Sequence, residues 1–335
     1  MQLFVAATIA ISACLPGALS LDVSGSTKFQ SSSKRGLIYI SSSEHPSDSQ
    51  IWVEAGSDLT WYYNYGSTPT DAYSNRSQAN FKFIPMLWGS SNSSSFASGV
   101  KSLIQDQGRN ITHVLTFNEP DGSTPTGGSD IDPATAASIW IDDVEPLSEL
   151  GVKLGAPAVT GSNSGMTWWS EFFGNCSLLK TNCTPDFIPI HWYGDFAGLA
   201  SHIGQVVEAY PNTSIWVTEY ALQDASLSDS QSFFQTSAEY FDRIDYIERY
   251  SYFGSFRSSV SNIGPNAAML TQDGKLTDIG SWYLGGAATG NVPSSSNSSD
   301  SSSSSDSSSI LWGGRRHSVK AVTAATALAV FVFAF

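Results

Sequence analysis

Residues 113–121 read HVLTFNEPD. A run of apolar, β-branched and aromatic residues ends at Phe117, and Asn118, Glu119, Pro120 and Asp121 follow at once. Such a run, stopped by turn residues, reads as a strand buried on both faces of a parallel sheet. A carboxylate directly after a buried strand is costly unless it is solvated, paired or put to use. The stretch IWVTEYAL at 215–222 repeats the arrangement and carries Glu219.

Working outward, further strand-like runs occupy 36–40, 59–63, 81–87, 153–159, 187–192 and 250–256. Helical patterning lies between most of them, at 94–107, 133–150, 166–173, 199–210 and 228–249. Ser228 is a plausible N-cap of the last, and Pro133 and Pro146 sit where a helix begins or bends. Eight strands in this span give about 31 residues per βα unit, which is the size of a TIM barrel. The expected fold is therefore α/β, a single (β/α)8 TIM barrel. The stretch 41–58 shows little helical pattern and is the weakest unit. A doubly wound open sheet is the alternative, but no glycine-rich nucleotide fingerprint follows any strand. In a barrel, catalytic groups stand at the C-terminal strand ends. Glu119 on the fourth strand and Glu219 on the seventh meet that condition across the barrel mouth.

Both ends of the 335-residue chain read as processing signals. Residues 1–20 hold an apolar run followed by small residues, a signal peptide cleaved after Ser20. Residues 21–292 are the barrel, and 293–309 are a serine-rich stalk. Residues 310–335 pair a polar spacer with a short apolar tail, the pattern of a removed GPI-attachment signal. A single-span tail anchor is the competing reading, although the tail is short of the roughly 20 residues a span needs. The expected location is the cell surface or cell wall, with membrane contact only through a GPI lipid.

The chain has 16 basic and 30 acidic side chains, a net charge of −14. Nucleic acid is an unsuitable partner, because phosphate binding needs a basic face. Of three cysteines, Cys14 leaves with the signal, and Cys176 and Cys183 form an even pair. In an oxidising compartment they are expected to bridge, with two buried thiols as the alternative. Sequons begin at Asn75, Asn92, Asn110, Asn175, Asn182, Asn212 and Asn297, which supports secretion and N-glycosylation. No cofactor or metal is expected: zinc spacing, Walker loops and dinucleotide loops are absent, and GSNSG at 161–165 carries Asn163 where a nucleophile elbow needs serine.

Five segments occur in order: FIPMLWG at 83–89, FNEPD at 117–121, LGAPAVT at 154–160, IPIHWYGD at 188–195 and WVTEYAL at 216–222. Together they resemble glycoside hydrolase family 128, the group that includes the fungal alkali-sensitive linkage proteins, from about Gly36 to Leu284. The resemblance implies a retaining, endo-acting β-1,3-glucanase. It implies Glu119 as general acid/base, Glu219 as nucleophile, and Asn118 as the partner of the sugar 2-hydroxyl. His191 and Tyr193 match groups that orient the carboxylates, and Trp88 matches a sugar-stacking ring. Ten Trp, thirteen Tyr and eighteen Phe suit a sugar cleft, although most of them serve core packing. Trp192 and Tyr220, at strand ends, are expected to bind substrate, and Trp61 and Tyr63 are further candidates. The expected partner is β-glucan and the expected state a monomer. A non-catalytic glucan-binding barrel and a transglycosylating one remain open alternatives, since a fold does not fix a function.

Overall fold

The computed structural model describes residues 28–181 and 183–293. The expected signal peptide, the serine stalk, the GPI signal and the sequons at Asn182 and Asn297 lie outside these residues. Nine strands, all paired in parallel, form one curled sheet. They are β1 (Arg35–Ile38), β2 (Trp61–Tyr63), β3 (Lys82–Phe83), β4 (Met86–Leu87), β5 (His113–Asn118), β6 (Lys153–Ala158), β7 (Phe187–Trp192), β8 (Ser214–Tyr220) and β9 (Ile247–Tyr252). The order is β3-β2-β1-β9-β8-β7-β6-β5-β4.

The two ends of that order belong to one run of chain. The strand expected at 81–87 is interrupted at Ile84 and Pro85, and its halves pair on opposite sides. The Ile84 amide donates to Tyr62 O at 2.9 Å, on the β2 side. Pro85 has no N–H to give, and its carbonyl accepts from Leu115 N on the β5 side at 2.9 Å. The curl thus brings the sheet round onto a single broken segment.

The crossovers are less regular than a strict (β/α)8 repeat. After β1 and β2 the chain makes 3-10 turns, Pro46–Val53 and Asp71–Tyr73, where α-helices would stand. The later crossovers carry α1 (Ser93–Gln105), α2 (Pro133–Ile139), α3 (Asn163–Leu178), α4 (Phe196–Ala209), α5 (Leu227–Arg243) and α6 (Asp278–Tyr283). The helix expected over 133–150 is α2 alone, followed by a π-helical turn at Trp140–Val144 and a 3-10 stretch at Glu145–Leu150. Pro146 cannot donate into a continuing α-helix. Helix α5 is capped by Ser226 and not Ser228, and it ends at Arg243. The strand expected at 250–256 begins earlier, at Ile247. Aromatic residues at both 2- and 3.6-residue spacing made that boundary ambiguous.

Strand alternation sorts the core into two parts. Ile38, Trp61, Tyr63, Ile84, Met86, Leu115, Phe187 and Trp216 pack inside the curl. A larger layer, including Leu37, Tyr62, Val114, Ile190, Val217 and Tyr220, packs against the helices. The interior is tight: a Cβ on Gly36 would lie 2.1 Å from the Trp61 ring, so only glycine fits there. Cys176 and Cys183 form the expected disulfide, tying the end of α3 to the segment before β7. Asn75, Asn92, Asn110 and Asn212 are exposed, while Asn175 lies on α3 with Nδ2 donating to Glu171 O at 2.8 Å. Among the described residues no helix is long and apolar enough to cross a membrane.

Candidate active site

Strands β5, β7 and β8 deliver three titratable groups to one end of the curl. Glu119 follows β5, His191 lies on β7 and Glu219 on β8. His191 Nδ1 stands 3.0 Å from Glu119 Oε1 and 3.5 Å from Glu219 Oε2. One oxygen of each carboxylate and one imidazole nitrogen all lie within 4.8 Å of one another. A hundred positions of sequence separate the acids, and a shared histidine joins them.

The backbone is strained where it presents Glu119. Phe117 and Glu119 have φ of 40° and 42°, on either side of Asn118. Such left-handed conformations cost on the order of 1–3 kcal/mol each and collect at functional sites. Strand β5 slips register against β6 twice on the way, between Val114 and Thr116 and between Thr116 and Asn118. The loop after Glu119 is bonded back on itself, with Ser129 N to Asn118 O at 2.8 Å and Ile131 N to Pro120 O at 3.0 Å.

Glu219 is 4% exposed and ringed by phenols. Tyr65 and Tyr193 donate to its two oxygens at 2.7 and 2.6 Å, and Tyr63 reaches Oε1 at 3.4 Å. Burial and the nearby carboxylate push the Tyr65 and Tyr193 phenols well above their ordinary values, so they remain neutral donors. Burial raises the Glu219 carboxyl, His191 lowers it, Glu119 raises it, and the Tyr193 and Tyr65 hydroxyls lower it; the net direction is upward. Burial opposes a charged His191, but Glu219 and Glu119 together outweigh it and raise the imidazole. Glu219 and His191 therefore both hold their protons more tightly than the free groups do.

This direction has a stability consequence. An unfolded glutamate titrates near about 4.3. Below that pH both states are protonated and the site is neutral in its effect. As pH rises from there towards the raised folded value, the unfolded chain releases its proton first, and the folded state loses relative stability. Glu219→Gln removes that loss. The variant is expected to melt above wild type at pH 7, with the difference vanishing near pH 4. A difference that stays constant with pH would count against the assignment.

Asn118 is 5% exposed; its Nδ2 donates to Gly127 O at 2.9 Å, and its Oδ1 has no partner. Trp88 is half-buried over the interior cluster, and its carbonyl accepts from Asn118 N at 2.8 Å. Tyr220 is not a binding residue. It is fully buried on the helix side, packed edge-on against Phe241 and Tyr252. Trp192 also points away from the carboxylates, because it follows the inward-facing His191 on the pleat; its ring stacks on His202. Trp61 is core, with no exposure. Tyr65 was missed, although Trp61, Tyr63 and Tyr65 alternate along one face of WYYNYG, and that period was the available signal.

Residues 36–283 match the family described as glycosyl hydrolase catalytic core. Alkali-sensitive linkage protein 1 of Schizosaccharomyces pombe is 34% identical over 262 residues, covering 76% of this chain and 44% of the relative. The chain thus spans less than half the length of that relative. A solved endo-β-1,3-glucanase of Lentinula edodes, from glycoside hydrolase family 128 subgroup IV, is 25% identical with a TM-score of 0.60, covering 75% of this chain and 99% of that one. A solved oligosaccharide-binding protein of Cryptococcus neoformans, from subgroup VII, is 24% identical with a TM-score of 0.57, covering 78% and 97%. This chain belongs to the glycosyl hydrolase catalytic-core family, and the family 128 resemblance read from its five segments is borne out.

Proposed function

We propose that the chain is a retaining β-1,3-glucanase, with Glu219 as nucleophile and Glu119 as general acid/base. The observation that carries this reading is the approach of the two carboxylates, whose oxygens lie within 4.8 Å across His191. Retaining glycosidases hold their carboxyl groups about 5–5.5 Å apart, and inverting ones leave about 6.5–9.5 Å for a water. Glu119 is the more open acid, at 15% side-chain exposure against 6%, and so is placed to meet both leaving group and water. Glu219, fixed by Tyr65 and Tyr193, is placed to attack the anomeric carbon. Burial is the main cause that raises the Glu219 carboxyl. A sugar cation forming beside it favours the anion, and the proton that Glu219 gives up can pass by way of His191 Nδ1 to Glu119, 3.0 Å on the other side.

The architecture fits an eight-unit barrel in which β3 and β4 are one broken strand. Asn118 and Trp88 are the proposed sugar contacts. The chain ends extend the proposal: a cleaved leader, a serine stalk and a GPI anchor would hold a monomeric barrel at the cell wall.

The test is the anomer first released from laminarin oligosaccharides, followed by NMR before mutarotation. The β-anomer is expected. Initial α-anomer would replace the retaining mechanism with an inverting one. Binding with no new reducing ends would favour the second reading, a glucan-binding barrel; the Cryptococcus neoformans neighbour is described as an oligosaccharide-binding protein.

Tyr65 has a separate expected effect. Its hydroxyl lowers the Glu219 pKa, so Tyr65→Phe should move the acid limb of kcat/KM to higher pH. A hydrogen bond to a charged group is worth about 1.5–3 kcal/mol, so kcat/KM should fall roughly 10- to 100-fold. An unshifted limb would reduce Tyr65 to a packing residue.

A further inference from the structure

Glu119, His191 and Glu219 converge from three elements: the turn after β5, then β7 and β8. His191 Nδ1 stands 3.0 Å from Glu119 Oε1 and 3.5 Å from Glu219 Oε2. One oxygen of each acid and one imidazole nitrogen fall within 4.8 Å of one another. A tetrahedral zinc ion takes imidazole nitrogen and carboxylate oxygen at about 2.0–2.2 Å, which sets neighbouring ligand atoms roughly 3.3–3.6 Å apart. The two separations at Nδ1 straddle that spacing. A small dication therefore fits between the three atoms with little movement of any side chain.

Charge and support favour the same fit. Two carboxylates and a neutral imidazole leave no net charge around a dication, and a buried charge is tolerated when it is cancelled. An imidazole with its proton on Nε2 presents the Nδ1 lone pair to the ion. Tyr65 and Tyr193 donate to the two Glu219 oxygens at 2.7 and 2.6 Å. Such bonds orient a ligand and leave a lone pair on each oxygen for the metal. Three protein ligands with one position open to solvent is a familiar zinc arrangement. Here Glu119, at 15% side-chain exposure, is the ligand an entering ion meets first. A nitrogen among so few donors suits a transition ion and not Mg²⁺ or Ca²⁺, which take six or more oxygens or waters. Glu119 and His191 are 72 positions apart, so no short ligand spacing announces the site in the sequence.

We propose that Glu119, His191 and Glu219 bind one Zn²⁺ ion, and that the ion shuts the active site while it is bound. It engages both acids at once, so neither can move a proton or attack an anomeric carbon, and it stands where the sugar must sit. That consequence rests on the catalytic roles proposed above; the binding itself does not.

The test is Co²⁺ titrated into the full chain at neutral pH and followed by its visible absorption, with Zn²⁺ then added as a colourless competitor. Saturation at one equivalent and displacement by Zn²⁺ are expected. Losing a hydrogen bond that supports a ligand costs about 10- to 100-fold in metal affinity. Losing a ligand itself, in His191→Asn or Glu119→Gln, should therefore cost about 100-fold or more. Glu119→Gln is the more exposed change, and melting curves establish that each variant is folded. His45→Ala should leave the titration unchanged. Laminarin hydrolysis should stop at one equivalent of Zn²⁺ and return with EDTA, and Mg²⁺ should not affect it. Absence of a band at one equivalent, or a band that survives both substitutions, overturns the site. If the chain binds glucan without cutting it, the hydrolase reading falls, and Zn²⁺ should still exclude laminarihexaose. Hydrolysis or laminarihexaose binding undiminished in the Zn²⁺-saturated chain overturns the proposal.

Discussion

Glu219→Ala should lower turnover of laminarin oligosaccharides by about 10⁴-fold or more, and azide should restore reaction on a substrate with a good leaving group. Without the carboxylate no glycosyl-enzyme can form. The deletion leaves a space on the α face of the sugar, walled by the Tyr65 and Tyr193 hydroxyls that now have no carboxylate to meet. Azide entering there attacks opposite the leaving group and gives the α-glycosyl azide. Glu119→Ala should behave differently. With an activated leaving group the intermediate still forms, because no proton donor is needed, and it then accumulates for want of a base. Azide attacks that intermediate from the β face and gives the β-glycosyl azide. The two variants thus report opposite anomers from one assay. If the anomers were exchanged, the roles of Glu119 and Glu219 would be exchanged with them. Turnover by Glu219→Ala at the wild-type rate would remove Glu219 from the chemistry altogether.

Much of this site was legible because each acid follows a long apolar run. Runs of that kind are strands, and strand ends in a parallel barrel converge. His191 and Tyr193 came from the resemblance of the segment at 188–195 to family 128, and they sit two residues apart at the end of β7. What sequence could not supply was the local slip of register. On β8, Trp216 points into the curl and Val217 points towards the helices. Strict alternation would turn Glu219 outward with Val217. Instead Ile190 pairs with Val217 and His191 with Glu219, so Thr218 is an extra residue that reverses the pleat. The same extra residue sends Tyr220 into the helical layer, although its place at a strand end beside Glu219 had suggested a sugar contact. A bulge has no residue signature of its own here, since Thr218 is as good a strand former as its neighbours. The broken third strand was more readable: Pro85 forbids one ladder bond, and a central strand rarely tolerates that. Tyr65 escaped notice because it lies beyond β2, in a turn with φ of 59° that no apolar run predicts.

Arg35 was equally invisible, since a basic residue at a strand start reads as a solvated boundary, yet it carries the largest expected effect on stability. The side chain is completely buried where β1 meets β9, and Arg35 pairs with Tyr250 across that seam. Its guanidinium donates to Tyr250 Oη at 2.8 Å, Asp58 Oδ2 at 2.9 Å, Trp282 O at 3.0 Å and Gln30 O at 2.6 Å, with Asp242 at 3.6 Å. One fork thus ties the segment before β1, the entry to β2, the end of α5 and the end of α6. Burial opposes the charge, but Tyr250, Asp242 and Asp58 outweigh it and raise the guanidinium further. Arg35→Met fills similar volume but leaves two acids and several carbonyls without their donor. Removing one partner of a buried ion pair costs about 3–5 kcal/mol. For a domain of this size that is a melting-point drop of roughly 6–20 °C. Arg35→Lys keeps the charge but offers a point of three donors in place of a planar fork, so it should recover less than half of the loss. Adding Asp58→Asn to Arg35→Met should restore part of the stability, because one of the stranded charges is gone. Melting curves for the three variants decide the matter: a midpoint unchanged by Arg35→Met would mean that the seam is held by its backbone ladder and aromatic packing alone.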